Sequence, residues 1–316
     1  MNKQIFCNYY QDNDPERRKE ILYCIQTNLD LDFIEKINVF ISNDERNAKL
    51  NQGPEEDLLS LHNSHKLNFI HIPSRLRFSD IVNYCSNNLE PTYIGIFINL
   101  DIFLENSLDW KNVETFFKKS PSHKSPSHQK KSRKIFLSLR HNFLEEEWDK
   151  ASIEADKKSW KEGDFTDCYA FESNFLKDFI NEKLDFRFGS TPGSDALLTG
   201  IFSKYYQVFS LGKKYKIFHY DVISKKKYKE KKFFETKDIS VVKRLKEWVS
   251  VPSNQNWEAY LSTGECPKVK YVYMDKENSL TKRIYIECKI FYIVILYEIT
   301  KIINSFRSKY LETKVK

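Results

Sequence analysis

Tyr93 to Asn106 reads YIGIFINLDIFLEN. The run Ile94-Gly95-Ile96-Phe97-Ile98 is apolar throughout, and rich in β-branched and aromatic residues. A run of this kind is expected as a central strand covered on both faces. The polar step Asn99-Leu100-Asp101 ends it, and Ile102-Phe103 follows at once. A carboxylate at the carboxyl end of such a strand lies where open α/β sheets bind ligands. An Asp that only caps a turn after a core strand is the plainer alternative.

The segments before it repeat the pattern. QIFCNYY (4–10) is expected as a first strand. Asp14 is suited to cap a helix and Pro15 to begin it, with Ile21, Leu22, Ile25 and Leu29 on one face. Residues 37–41 and 67–72 are the next expected strands, with a loop and short helix over 42–66 and a helix through Ile81, Val82 and Tyr84. Strands alternating with helices predict a largely parallel sheet. Further strands are expected at 134–139 (ended by Arg140-His141-Asn142), 166–171, 207–211 and 215–220. Helices are expected at 174–186 and from Ser194-Asp195 onward.

Composition permits a large core. The 316 residues are 41% hydrophobic and 15% aromatic, and eight Gly and nine Pro are few for this length, which argues against a disordered or repeat protein. The net charge of +7 is mild and fits an anionic partner or a Lys-rich solvated surface. The six cysteines show no CxxC spacing, which argues against zinc or a disulfide framework and for reduced thiols. No signal peptide is read at the N-terminus, and charges interrupt the apolar run 284–303, so a soluble, cytoplasmic protein is expected. Residues 118–134, with SPSH twice, form a flexible basic loop, whose His123 and His128 make a poor metal site. KKKYKEKK (225–232) marks a linker. Beyond it, residues 233–316 form a small α+β extension of unknown role. There 269–273 and 283–292 are expected to pair as strands, and 291–310 to form a closing helix. Neither basic run comes with a nucleic-acid-binding motif, so no specific nucleic acid is expected as partner.

No P-loop, GxGxxG, HExxH or GxSxG is present. The polar residues that close strands or open helices are Asp101, Asp167, Asp195 and His219, with Arg75 and Arg77 before a helix. In their order along the chain the segments resemble a family. PERRKEILYCIQTNL is similar to the first helix of GT-A-fold, nucleotide-sugar-dependent glycosyltransferases of the type found in large DNA viruses and bacterial polysaccharide loci. SRLRFSDIV resembles the family's Arg-x-x-Tyr-x-Asp segment, and IFINLDIFLEN its Asn-x-Asp-Ile-x-Phe strand. IFLSLRHN resembles Ala-Leu-Thr-Arg, and TDCYAFESN resembles Ser-Gln-Asp-Ala-Trp-Ile-Phe. GSTPGSDALL resembles Gly-x-x-Gly-Cys-Asp-Asn, and FHYD the closing His-x-His. The resemblance covers residues 4–224, and hence a domain over 1–224.

The resemblance implies a GT-A-like (Rossmann-like) mixed, mostly parallel sheet flanked by helices. It implies an enzyme moving a sugar from a UDP- or GDP-linked donor to a hydroxyl of a glycan or glycoprotein, in a host cytoplasm or virus factory if viral. A divalent cation, Mn²⁺ or Mg²⁺, is implied at Asp101 and His219, with Asn99 in support. Arg75, Arg77 and Tyr9 are implied donor contacts; Tyr10 and Tyr169 are further candidates for stacking. Asp167 is the implied general base, and Asp195 orients donor or acceptor. Three departures stand out: Asn99 replaces the first carboxylate of the DxD-type motif, Ala196 an Asn, and Asp221 a His. They keep open a catalytically degenerate nucleotide- or glycan-binding protein.

Overall fold

A computed structural model describes residues 1–10, 12, 14–42, 54–74, 76–88, 92–118, 134–143, 166–173, 184, 194–210, 215–220, 249–250, 270–271, 288, 295 and 299. Strands β1 (Asn2–Tyr9), β2 (Lys36–Ser42), β3 (Leu67–Ile72) and β4 (Tyr93–Ile98) begin the sheet. They lie in the order β3-β2-β1-β4, all parallel. The parallel arrangement expected from the alternating pattern is thus present. Helix α1 (Pro15–Leu29) crosses from β1 to β2, with Asp14 as N-cap and Pro15 in the first turn. Helix α2 (Pro54–Leu59) and a 3₁₀ turn (Ser64–Lys66) precede β3, and α3 (Phe78–Asn87) precedes β4.

The second half adds β5 (Ile102–Leu104), α4 (Leu108–Lys111), α5 (Glu114–Lys118), β6 (Lys134–Phe143) and β7 (Thr166–Glu172). Helix α6 (Ser194–Tyr205), β8 (Gln207–Ser210) and β9 (Ile217–Tyr220) follow. The full sheet runs β3-β2-β1-β4-β7-β6-β9-β5, with β8 also on β6. β7 is antiparallel to β4 and to β6, whereas β8 and β9 are parallel to β6. This is a mixed, mostly parallel α/β sheet of the Rossmann-like, GT-A-like class.

The pleat sorts the core into two layers. On one face Ile5, Cys7, Ile94, Ile96 and Ile98 pack with Ile21, Ile25 and Leu29 of α1 and with Trp110, Val113 and Phe116. On the other, Phe6, Tyr93, Phe97 and Phe171 pack with Phe78, Ile81 and Val82 of α3 and with Leu197, Leu198 and Ile201 of α6. Every residue of β4 is buried, because successive side chains alternate between these layers. Gly95 lies opposite Phe171 in the β4–β7 ladder. A Cβ at Gly95 would stand 2.2 Å from Phe171 Cζ, so the aromatic ring fills the place a side chain would take.

Three expectations change. β6 does not stop at Arg140 but continues to Phe143, with a register shift at Ser138/Leu139. An irregularity of this kind bends a strand, and beyond it Arg140 to Phe143 pair with Ile217 to Tyr220. In the C-terminal region β10 (Val249–Ser250) pairs with β11 (Lys270–Tyr271), a partner not expected from the sequence. Cys288, expected within a strand, is helical, whereas Ile295 and Ile299 are helical as expected for 291–310. A short apolar run does not tell strand from helix by periodicity. The expected helix 174–186 apart from Leu184, which is buried and not helical, the basic loop over 119–133, the linker 225–232 and Arg75 lie outside the described residues. Among the described residues no helix is long and apolar enough to cross a membrane.

Candidate functional site

Strand directions collect the polar residues on one rim. Because β9 is parallel to β6, and β6 and β4 are both antiparallel to β7, the carboxyl ends of β4 and β9 and the amino end of β7 face the same way. Helix α1 begins after the carboxyl end of β1, parallel to β4, so its first turn sits on that rim too. Asp101, His219, Asp167 and Arg17 therefore come from four separate elements to one edge of the sheet.

The chain leaves β4 through a turn in which Ile102 N–H donates to Asn99 O at 3.2 Å. Leu100 is buried, while Asn99 and Asp101 flank it. Asn99 Nδ2 donates to Asp167 Oδ1 at 2.7 Å. The ladder brings them together, since Ile98 pairs with Cys168 in an antiparallel register. Asp167 is only 6% exposed.

Asp101 is fixed from both sides. Tyr220 N–H donates to Asp101 O at 3.1 Å. Buried Asn28 of α1 donates to Ile102 O at 2.9 Å and accepts from Leu104 N–H at 3.0 Å, holding β5 to the helix. On the side chain, His219 Nε2 is 3.0 Å from Oδ2, and Arg17 Nη2 donates to the same oxygen. Arg17 Nη1 donates to Glu20 Oε2 at 2.9 Å and reaches Tyr220 O at 3.5 Å. Burial alone would raise the Asp101 carboxyl pKa; the hydrogen bond to His219 and the nearby Arg17 guanidinium outweigh it and hold the group well below the usual carboxylate range. Burial likewise disfavours the Arg17 charge, and Asp101 and Glu20 outweigh that.

The remaining expected residues fall in different places. Arg77 is the N-cap of α3, its own N–H donating to Asp80 Oδ2 at 2.8 Å. The next residue, Phe78, packs on Phe97 of β4 with ring centroids 6.5 Å apart, which brings this helix start toward the same rim. Asp195 lies in the first turn of α6, and its side chain is outside the described residues. Tyr9 is 1% exposed, with its hydroxyl donating to Asp57 Oδ2 at 3.2 Å. It has no ring face to offer a base, which corrects its expected stacking role; Tyr169 is equally buried. Tyr10 is half-buried.

Asp101 and His219, implied as ligands of a divalent cation, do meet, but they meet each other. Arg17 and His219 both take Oδ2, and among the described residues no partner is seen for Oδ1. Among the described residues no three His, Cys, Asp or Glu side chains are grouped as a cation's donor set. On their own, the described side chains do not complete an all-protein donor set for a divalent cation. Arg17 and Glu20 were missed from sequence. In PERRKE nothing local separates Arg17 from Arg18, which turns instead to Asp57.

No family model matches the chain, and no curated protein sequence matches it. Solved structures resemble it at low identity. The 4-diphosphocytidyl-2C-methyl-D-erythritol synthase of Anaerococcus prevotii is 12% identical at a TM-score of 0.40, covering 66% of this chain and 86% of that one. S. aureus TarS 1-349 is 14% identical at 0.40, over 70% and 60%. GalNAc-T7, crystallised with UDP, GalNAc and Mn²⁺, is 8% identical at 0.45, over 78% and 48%. The chain thus spans about half to two thirds of the length of the latter two proteins.

Proposed function

We propose that this rim binds a nucleotide-diphosphate sugar and transfers the sugar to a hydroxyl of a glycan or glycoprotein. The observation that carries this is the meeting of Asn99 with Asp167, beside the Asp101 cluster, at the carboxyl end of β4. Ligands of open α/β sheets bind outside such strand ends. UDP- and GDP-linked sugars are the donors the sequence resemblance favours.

The roles follow from what the reaction needs. Transfer breaks the bond between the sugar's anomeric carbon and the diphosphate oxygen, whose electron pair leaves with the nucleoside diphosphate. The acceptor oxygen forms the new bond and loses its proton. In an inverting transfer a carboxylate takes that proton directly. Asp167 is the base in this proposal, with Asn99 holding its Oδ1. Asp195 orients donor or acceptor. Arg75 and Arg77 contact the phosphates, for which a guanidinium is suited. Asn99 and Asp101 border the donor.

Incubation with a panel of UDP- and GDP-sugars tests the proposal. Wild type releases nucleoside diphosphate from at least one of them. Asp167→Asn, in which the amide oxygen still accepts from Asn99, binds the donor and loses turnover. Turnover by the variant equal to wild type would remove Asp167 from the chemistry. A second reading, a degenerate protein that binds nucleotide or glycan without transfer, is favoured by the engagement of Asp101 with Arg17 and His219. It predicts binding and no release by wild type.

A further inference from the structure

Three oxygens from three elements surround Arg17. They are Asp101 Oδ2 from the turn after β4, Glu20 Oε2 from α1 and the Tyr220 carbonyl at the end of β9. Two carboxylates and a backbone carbonyl are the oxygen ligands a hard divalent cation takes. Here a guanidinium takes them, and a guanidinium stays charged at any pH the fold survives. Its side chain keeps 12% exposure, so it is not sealed beneath the rim. Among the described residues the three contacts use only part of its five N–H groups, and a guanidinium pairs readily with phosphate oxygens.

We propose that Arg17 is the resident cation of this rim, so that a nucleoside diphosphate binds without a divalent metal. In this arrangement Asp101 positions Arg17 and does not ligate an ion. His219, through the same oxygen, positions Asp101. The proposal rests on the reading of the rim as a nucleotide-sugar site, and the test separates the two.

The full chain is titrated calorimetrically with UDP and with GDP, once in EDTA and once in Mn²⁺. The expected affinities agree within about twofold between the two buffers. A Kd weaker by about tenfold or more in EDTA, which is about 1.4 kcal/mol, overturns the role of Arg17 and leaves the nucleotide site standing. Failure of either nucleotide to bind in either buffer overturns the nucleotide site itself, and this proposal with it. Arg17→Met supplies an independent arm, because it leaves Asp101 and Glu20 without their cation. Mn²⁺ is expected to raise the melting temperature of the variant and to leave that of wild type unchanged. If the variant folds only with Mn²⁺ present, its recovery by the ion is the same result. A variant indifferent to Mn²⁺, or a wild type raised equally by it, contradicts the proposal.

Discussion

Arg17 donates to Asp101 Oδ2 across 84 residues of sequence, and His219 meets the same oxygen from the far side. One carboxylate thus ties the first turn of α1 to the end of β9. The contact is mostly buried, with the two side chains 12% and 15% exposed. Removing one partner from a buried pair leaves the other charge uncompensated, and such a loss is several times that of a surface pair.

The Asp101 cluster makes stability fall in acid. The folded-state pKa of Asp101 is depressed, so its contribution is present above the unfolded carboxylate value of about 3.9 and fades as pH drops below it. Urea titrations from pH 7 to pH 2 should show wild type losing stability below about pH 4. Asp101→Asn should be less stable than wild type by about 2–4 kcal/mol at pH 7, and the gap should narrow as acid is added. A gap that stays constant to pH 2 would show that the carboxylate's charge is not what the pair uses.

Asn28 stands in for a neighbouring strand along β5, accepting from one backbone N–H and donating to one carbonyl. Asn28→Ala should destabilise by about 1–3 kcal/mol, since buried backbone groups lose their partners. Amide exchange checks this locally: Leu104 N–H should lose protection in the variant, while Ile96 N–H, in the middle of the sheet, keeps it.

The Gly95–Phe171 contact leaves no space for a methyl group. Gly95→Ala should destabilise by about 1–3 kcal/mol through overpacking. Phe171 itself touches Phe97, with centroids 4.6 Å apart, so the ring is not able to retreat freely. Pairing the change with Phe171→Leu should recover part of the loss. Additive losses in the double-mutant cycle would mean that the ring is not the obstacle.

The thiols should differ sharply in reactivity. Burial pushes Cys7 and Cys85 up to about 12, and raises Cys24 and Cys168 well above the ordinary thiol value. Cys288 is exposed. The thiolate is the reactive form. Iodoacetamide at pH 8 followed by mass spectrometry should label Cys288 in the folded chain and the four buried thiols only after denaturation. Early labelling of Cys7 or Cys168 would contradict the packing of β1 and β7.

Much of the sheet was legible in the sequence because its signals are local. Leu67–Ile72 alternates around a compact apolar run, and Asp14-Pro15 announces α1 through capping chemistry. Asp101 was legible for the same reason, as a carboxylate directly after a buried strand. Its partners were not. Arg17, held by Glu20, meets Asp101 only because α1 and the β4–β5 turn share a rim, and no spacing within PERRKE carries that information. Tyr9 misled because an aromatic at a strand end looks the same whether it faces a ligand or, as here, Asp57. The extension of β6 past Arg140 was hidden because a polar Arg-His-Asn end is normally a stop, and only pairing with β9 makes it a strand.

The most direct measurement is a crystal structure of the chain with UDP or GDP. The diphosphate is expected at the carboxyl end of β4, within hydrogen-bonding reach of Arg17 and beside the Asn99–Asp167 pair. A nucleotide bound elsewhere on the sheet, or none at all under conditions that saturate binding in solution, would contradict it.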